Sequence, residues 1–73
     1  MGSKYPVLTP KEIIRVLEKF NFRFVSQKGS HMKYSDGLHV VIIPNHDEIA
    51  RGTFKSILSM SGISLEDFLI ELK

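Results

Sequence analysis

The chain has 73 residues, a net charge of +2 and no cysteine. That length suits one small domain with a thin core, so most strong hydrophobes must be spent on packing. Disulfides and thiolate metal sites are excluded, no apolar run is long enough to span a membrane, and no signal-peptide pattern appears. The lack of cysteine suits a reducing cytoplasm. Residues 1–73 read as a single domain, with 1–6 expected to be a disordered tail or a cloning remnant that begins Met1-Gly2-Ser3.

The first helix is announced by its start. Thr9 is the expected N-cap, Pro10 fits the first helical position, and Glu12 completes a capping box. Leu8 and Ile13 occupy the two positions of a hydrophobic staple. Ile13, Ile14, Leu17 and Phe20 follow as an apolar stripe at helical spacing. Asn21 is a suitable left-handed stop.

Three strands are predicted next. Phe22 to Lys28 is rich in aromatic and β-branched residues, with Phe24 and Val25 at its centre. Gly29-Ser30 permits a tight turn into His31 to Ser35. Asp36-Gly37 signals a second hairpin leading to Leu38 to Ile43, which Pro44 ends. Asn45 to Glu48 reads as a polar loop. A helix from about Thr53 to Met60 buries Phe54, Ile57 and Leu58 and stops at Gly62. Ser64 caps a last helix with Asp67 at N3, Ile63 and Phe68 as its staple, and Leu65, Phe68, Leu69 and Leu72 as its inner face. The order α-β-β-β-α-α, an α+β chain with a three-stranded antiparallel sheet packed on helices, is the layout of double-stranded-RNA-binding domains. Layout alone does not assign function.

Charge is unevenly spread along this order. Through Ser35 there are seven Lys and Arg (Lys4, Lys11, Arg15, Lys19, Arg23, Lys28, Lys33) against Glu12 and Glu18, a balance of +5; from Asp36 onward three basic residues face six acidic ones, a balance of −3. The first half can attract phosphate, although ordinary solubilising charge explains the same count.

His31 is the sharpest chemical candidate. Alternation along its strand sends His31, Lys33 and Ser35 to one face, and Met32 and Tyr34 to the other as a core pair. Lys28 lies across the turn. Glycine permits close backbone approach, and turn amides can face an anion. The segment Gln27-Lys28-Gly29-Ser30-His31, with Lys33, can therefore hold a phosphodiester beside an imidazole. That imidazole can take the proton of an RNA 2′-hydroxyl, whose oxygen then attacks phosphorus, leaving a 2′,3′-cyclic phosphate and a 5′-hydroxyl. A lone Gly-Ser-His, however, also arises wherever a hairpin needs a small turn. His39 is placed on the third strand, opposite in sense to Leu38 and Val40. His46, in the loop after Pro44, is an auxiliary candidate. The three histidines lack carboxylates at ligand spacing, so no metal and no cofactor is expected. Ser30 has no triad. Phe20, Phe22, Phe24, Phe54 and Phe68 fit core positions better than base-stacking platforms.

Several separated segments resemble the HicA family of small bacterial and archaeal toxins, the mRNA interferases. Ile13-Ile14-Arg15-Val16-Leu17-Glu18-Lys19 resembles the family's first helix, and Val25-Ser26-Gln27-Lys28-Gly29-Ser30-His31, with Tyr34 following, its signature loop. Ile43-Pro44-Asn45-His46 matches a Pro-x-His element, and Gly52-Thr53-Phe54-Lys55-Ser56-Ile57-Leu58, closed by Gly62-Ile63, a helix start. The resemblance runs from Leu8 to about Leu72. It implies a double-stranded-RNA-binding-like fold, ribosome-independent mRNA cleavage, and a cognate HicB-type antitoxin that masks the active site. The family's catalytic histidine carries over to His31 and its turn glycine to Gly29. Two positions depart from the pattern: Ser26, where many relatives have Arg, and Ser61, where they have Ala before the glycine. A non-catalytic duplex-binding module is the alternative. Such modules present a lysine cluster at the start of the closing helix, where this chain offers only Arg51 and Lys55.

Overall fold

The computed structural model describes residues 5–73. The Met1-Gly2-Ser3 remnant expected at the start lies outside the described residues. Tyr5, also in the segment expected as a tail, sets its ring edge-on to Phe54 with centroids 6.2 Å apart.

Helix α1 spans Pro10–Lys19 and begins as its sequence requires. The backbone N–H of Glu12 donates to Thr9 Oγ1 at 3.2 Å, and the Thr9 N–H donates to Glu12 Oε1 at 2.9 Å. Two orphan donors of the first turn are thereby satisfied. These bonds hold the Glu12 carboxyl below its ordinary pKa, the backbone N–H of Thr9 contributing most. Asn21, with φ of 71°, ends the turn beyond α1.

Strands β1 (Arg23–Lys28), β2 (His31–Ser35) and β3 (Val40–Pro44) form an antiparallel sheet in the order β1-β2-β3. Helices α2 (Arg51–Ser61) and α3 (Leu65–Leu72) complete the chain, giving the predicted α-β-β-β-α-α order. One face of the sheet is covered, with α2 against β3 and α1 against α3. Met32, Tyr34, Val41 and Ile43 enter the core from that face and meet Ile13, Val16, Leu17, Phe54, Ile57 and Phe68. The other face carries no helix.

Four expectations need correction. Phe24 is not a core residue but 55% exposed, as is its neighbour Val25 at 53%: β1 and β3 are both edge strands, but α2 packs on β3. A bulge between Phe24 and Ser26 shifts the register. It turns Phe24 back to the covered side, where its ring meets Tyr34 at 5.7 Å. The third strand starts at Val40, not Leu38, and runs through Pro44. The turn centres on Gly37-Leu38, leaving Leu38 89% exposed and His39 off the strand. Helix α2 begins at Arg51, two residues early, because its N-cap Ala50 makes no side-chain bond and leaves no mark in the sequence. Of the inner face expected for α3, only Phe68 is fully buried; Leu65 and Leu72 pack at the margin.

Ile49, buried and bonded through its N–H to the Leu8 carbonyl at 2.7 Å, ties the β3–α2 loop to the start of α1. The buried Ser61 hydroxyl donates to the Leu58 carbonyl at 2.9 Å and accepts from the Ile63 N–H at 3.2 Å. A serine at this helix end is therefore satisfied, and adds a bond that alanine cannot make.

Candidate nucleic-acid interface

Strand pairing determines what shares the open face. Lys28 pairs with His31 and His31 with Pro44, forming one row across the sheet. The next row is Ser26, Lys33 and Ile42, and the third is Arg23, Ser35 and Val40. Since Met32 and Tyr34 point into the core, His31 and Lys33 point away from the helices. Lys28 is therefore one strand spacing (about 4.8 Å) from His31, and Lys33 two residues along, roughly 6.7 Å. The three form a triangle on an exposed surface, and no Asp or Glu occupies any paired position of this face.

The turn that supports the triangle is held by few bonds. Gly29 has φ of 59°, a conformation that favours glycine. A Cβ built there would touch nothing within 4 Å, so backbone conformation and not crowding demands the glycine. Gln27 Nε2 donates to the Gly29 carbonyl at 3.0 Å. The Asn45 N–H donates to the Ser30 carbonyl at 2.6 Å, fastening the turn to the end of β3. Gln27 thus braces the turn, and Asn45 is a brace that sequence reasoning missed.

Most of the other cations are occupied. Arg15 Nη2 donates to the Leu72 carbonyl at 3.4 Å, and Lys19 Nζ to the Glu71 carbonyl at 2.8 Å, both capping the end of α3. Arg23 Nη1 reaches the Phe22 and Glu18 carbonyls at 2.9 and 3.3 Å. Arg51 Nε donates to the Tyr5 carbonyl at 2.8 Å. Every arginine is therefore bound to backbone oxygen. On the open face Lys28 and Lys33, beside His31, are the cations without an internal partner, while Arg23, in the third row, is held by backbone carbonyls.

The other two histidines sit elsewhere. His46 lines a groove of about 400 Å³ on the helix side, with Thr9, Pro10, Lys11, Ile14, Met32 and neighbouring loop residues. His31 is on the opposite side of β2 from Met32, so the two do not share a face. His39 lies at the far end of β2, its Nδ1 3.1 Å from Asp36 Oδ2. Among the described residues, no three His, Cys, Asp or Glu side chains gather as a metal site.

Comparison with known families places this geometry. The model described as HicA toxin of bacterial toxin-antitoxin matches residues 10–63, from the first residue of α1 to just past Gly62. The chain belongs to the HicA toxin family. No curated protein matches it. Membership makes it one of the toxins of toxin-antitoxin systems and implies a cognate antitoxin of the HicB type as partner. The matched span of this HicA chain holds the whole sheet, including Lys28, Gly29, His31 and Lys33, whereas α3 lies beyond it. No helix among the described residues is long and apolar enough to cross a membrane.

Proposed function

We propose that this HicA-family toxin is a metal-independent endoribonuclease that cleaves mRNA in the cytoplasm, with His31 as general acid and base. The observation that carries the reading is the triangle of His31, Lys28 and Lys33: unengaged, exposed, on one face, and free of carboxylates. A phosphodiester seated on it has its negative charge met by two ammonium groups. His31 takes the proton from the 2′-hydroxyl. The 2′-oxygen bonds to phosphorus, the bond from phosphorus to the 5′-oxygen breaks, and the leaving oxygen takes up a proton. The products are a 2′,3′-cyclic phosphate and a 5′-hydroxyl. Lys28 and Lys33 stabilise the charge that builds on phosphorus. Gly29 and Ser30 offer turn backbone to the phosphate, and Gln27 positions that turn. His46, in the groove on the helix side, lies apart from this surface and has no part in holding the reacting phosphate. HicB-type antitoxin binding then masks this surface.

The duplex-binding alternative is weakened by the start of α2, which carries only Arg51 and Lys55 in place of a lysine cluster, with Arg51 Nε tied to the Tyr5 carbonyl. The test is single-stranded RNA incubated with the protein in EDTA beside a His31→Ala variant. Wild-type cleavage leaving cyclic phosphate ends, with about 10² to 10⁴-fold loss in the variant, is the expected result. Equal cleavage by both removes His31 from the mechanism. Duplex binding with no cleavage by either moves the answer to a binding module.

A further inference from the structure

The open face is divided lengthwise. Its cations lie on β1 and β2, while β3 contributes Val40, Ile42 and Pro44 and no charge. Val40 is 50% exposed, and Ile42 and Pro44 are half-buried. None of the three is needed by the core, which takes Val41 and Ile43 from the same strand. A scattered exposed valine or isoleucine requires no explanation. A row of three, alternating with core residues and lying beside the cationic triangle, is a surface with two chemistries at strand spacing.

We infer that β3 is the nucleobase-contacting side of the RNA site: a single strand lies on the open face with its phosphates on Lys28, His31 and Lys33 and its bases against Val40, Ile42 and Pro44. This rests on the nuclease reading for its choice of reacting phosphate, not for the surface itself. A polynucleotide strand has the same lengthwise division, charged on one edge and flat and apolar on the other. Its bases must be unpaired to reach β3. A duplex turns them inward and could meet this flat face only with phosphates and sugars. With no aromatic on the stripe, contact is apolar and tolerant of base identity, so the site favours single strands without reading sequence strongly. An acidic protein segment would satisfy the lysines as well, but it does not call for an uncharged stripe beside them.

The experiment uses the His31→Ala protein, which allows binding to be read without cleavage, and a labelled single-stranded RNA. Matched probes are its duplex and a copy with abasic nucleotides at the centre. The single strand is expected to bind about tenfold or more tightly than the duplex. Adding Val40→Ser and Ile42→Ser weakens single-strand binding about tenfold. That double change abolishes the difference between normal and abasic RNA, while Lys55→Ala changes nothing. In the His31-containing protein the same two substitutions raise KM about tenfold and leave kcat within about threefold. If thermal melting shows that the serine pair does not fold, Val40→Thr with Ile42→Thr keeps the β-branched shape and serves instead.

Unchanged KM and unchanged binding in the double variant, with cleavage intact, would falsify the base stripe and leave the nuclease standing. Absence of wild-type cleavage with the abasic coupling preserved would remove the nuclease and leave the stripe. Preference for the duplex overturns the inference. So does a double variant that loses only its affinity for an acidic antitoxin, which would make the stripe a protein contact.

Discussion

Strand β2 has a turn and a nearby histidine at each end, and the two ends are built on opposite plans. At the far end every polar group has work inside the fold. Asp36 Oδ1 accepts from the N–H groups of Leu38 and His39 at 2.9 and 2.6 Å, and Ser35 Oγ accepts from the Gly37 N–H at 3.0 Å. The His39 ring bonds Asp36, lies 6.5 Å from the Phe22 ring, and sits where a side chain at Gly62 would go. At the near end the turn is held by Gln27 and by a backbone bond from Asn45, and Lys28, His31 and Lys33 are left without an internal partner. The same residue type serves structure at one end and is available for chemistry at the other. What differs is the supply of carboxylate: Asp36 claims His39, and no acid reaches His31.

The largest expected effect exchanges the two histidines. His31→Ala should lower RNA cleavage by about 10² to 10⁴-fold while the melting temperature holds, since the side chain contacts nothing that folding requires. His39→Ala should do the reverse, lowering the melting temperature by a few degrees with cleavage within about threefold of wild type. Rates from stopped aliquots and parallel thermal melts read both. A large activity loss in the second variant would collapse the contrast and bring the far turn into the site.

A smaller effect sharpens the comparison through the glycines. Gly29 has φ of 59° and Gly62 has φ of 74°, so alanine at either position should cost about 1–2 kcal/mol for the left-handed backbone. Only at Gly62 would the new Cβ also meet a neighbour, His39 Nε2, at 2.9 Å. Gly62→Ala should therefore be the more destabilising in urea melts. Placing it on a His39→Ala background should bring its cost down to that of Gly29→Ala. If the two single substitutions cost the same in the original protein, the His39 ring moves aside freely and is not a fixed part of the far end.

Much of this was legible in advance, and the failures share a cause. Thr9, Pro10, Glu12, Ser64 and Gly62 carry local chemistry that needs no distant partner, so the helix ends they define could be read directly. Alternation identifies Met32 and Tyr34 as core residues because β2 is central and its pattern is regular. Phe24 misled because edge position and the bulge at Val25 are decided by the whole sheet, not by the hydrophobicity of Arg23 to Lys28. The second turn slipped by one residue because Asp36 spends its carboxylate on Leu38 and His39 instead of standing beside Gly37 at the turn centre. At the site, His31 and Lys33 are grouped by alternation along β2 and Lys28 joins them through the Gly29-Ser30 turn, all readable from the sequence. That Arg15 and Arg51 bond distant backbone carbonyls could not be read, because those partner oxygens are supplied by packing, whereas Arg23 uses carbonyls close by in the chain. The first two reach across 57 and 46 residues of chain.

The smallest effect separates the two ends by acid. Three bonds, the largest from the His39 backbone N–H and the next from its ring, hold the Asp36 carboxyl down to about 2. An unfolded aspartate titrates near 3.9. The folded pKa is thus the lower one, so the stabilisation from ionised Asp36 is complete above about pH 4 and fades as pH falls toward 2. In Asp36→Asn the charge is absent at every pH. Melting temperatures of the two proteins should differ most at neutral pH and converge on acidification between about pH 4 and pH 2. Glu12, also held low by its capping box, loses its contribution on the acid side in both proteins and cancels from the difference. No Asp or Glu bonds the near turn, so His31→Gln is the matching control, with a melting temperature at neutral pH equal to the wild type's. A gap between wild type and Asp36→Asn that stayed constant down to pH 2 would mean that the amide oxygen holds the turn as well as the carboxylate does. The far end would then owe its rigidity to hydrogen-bond geometry and not to charge.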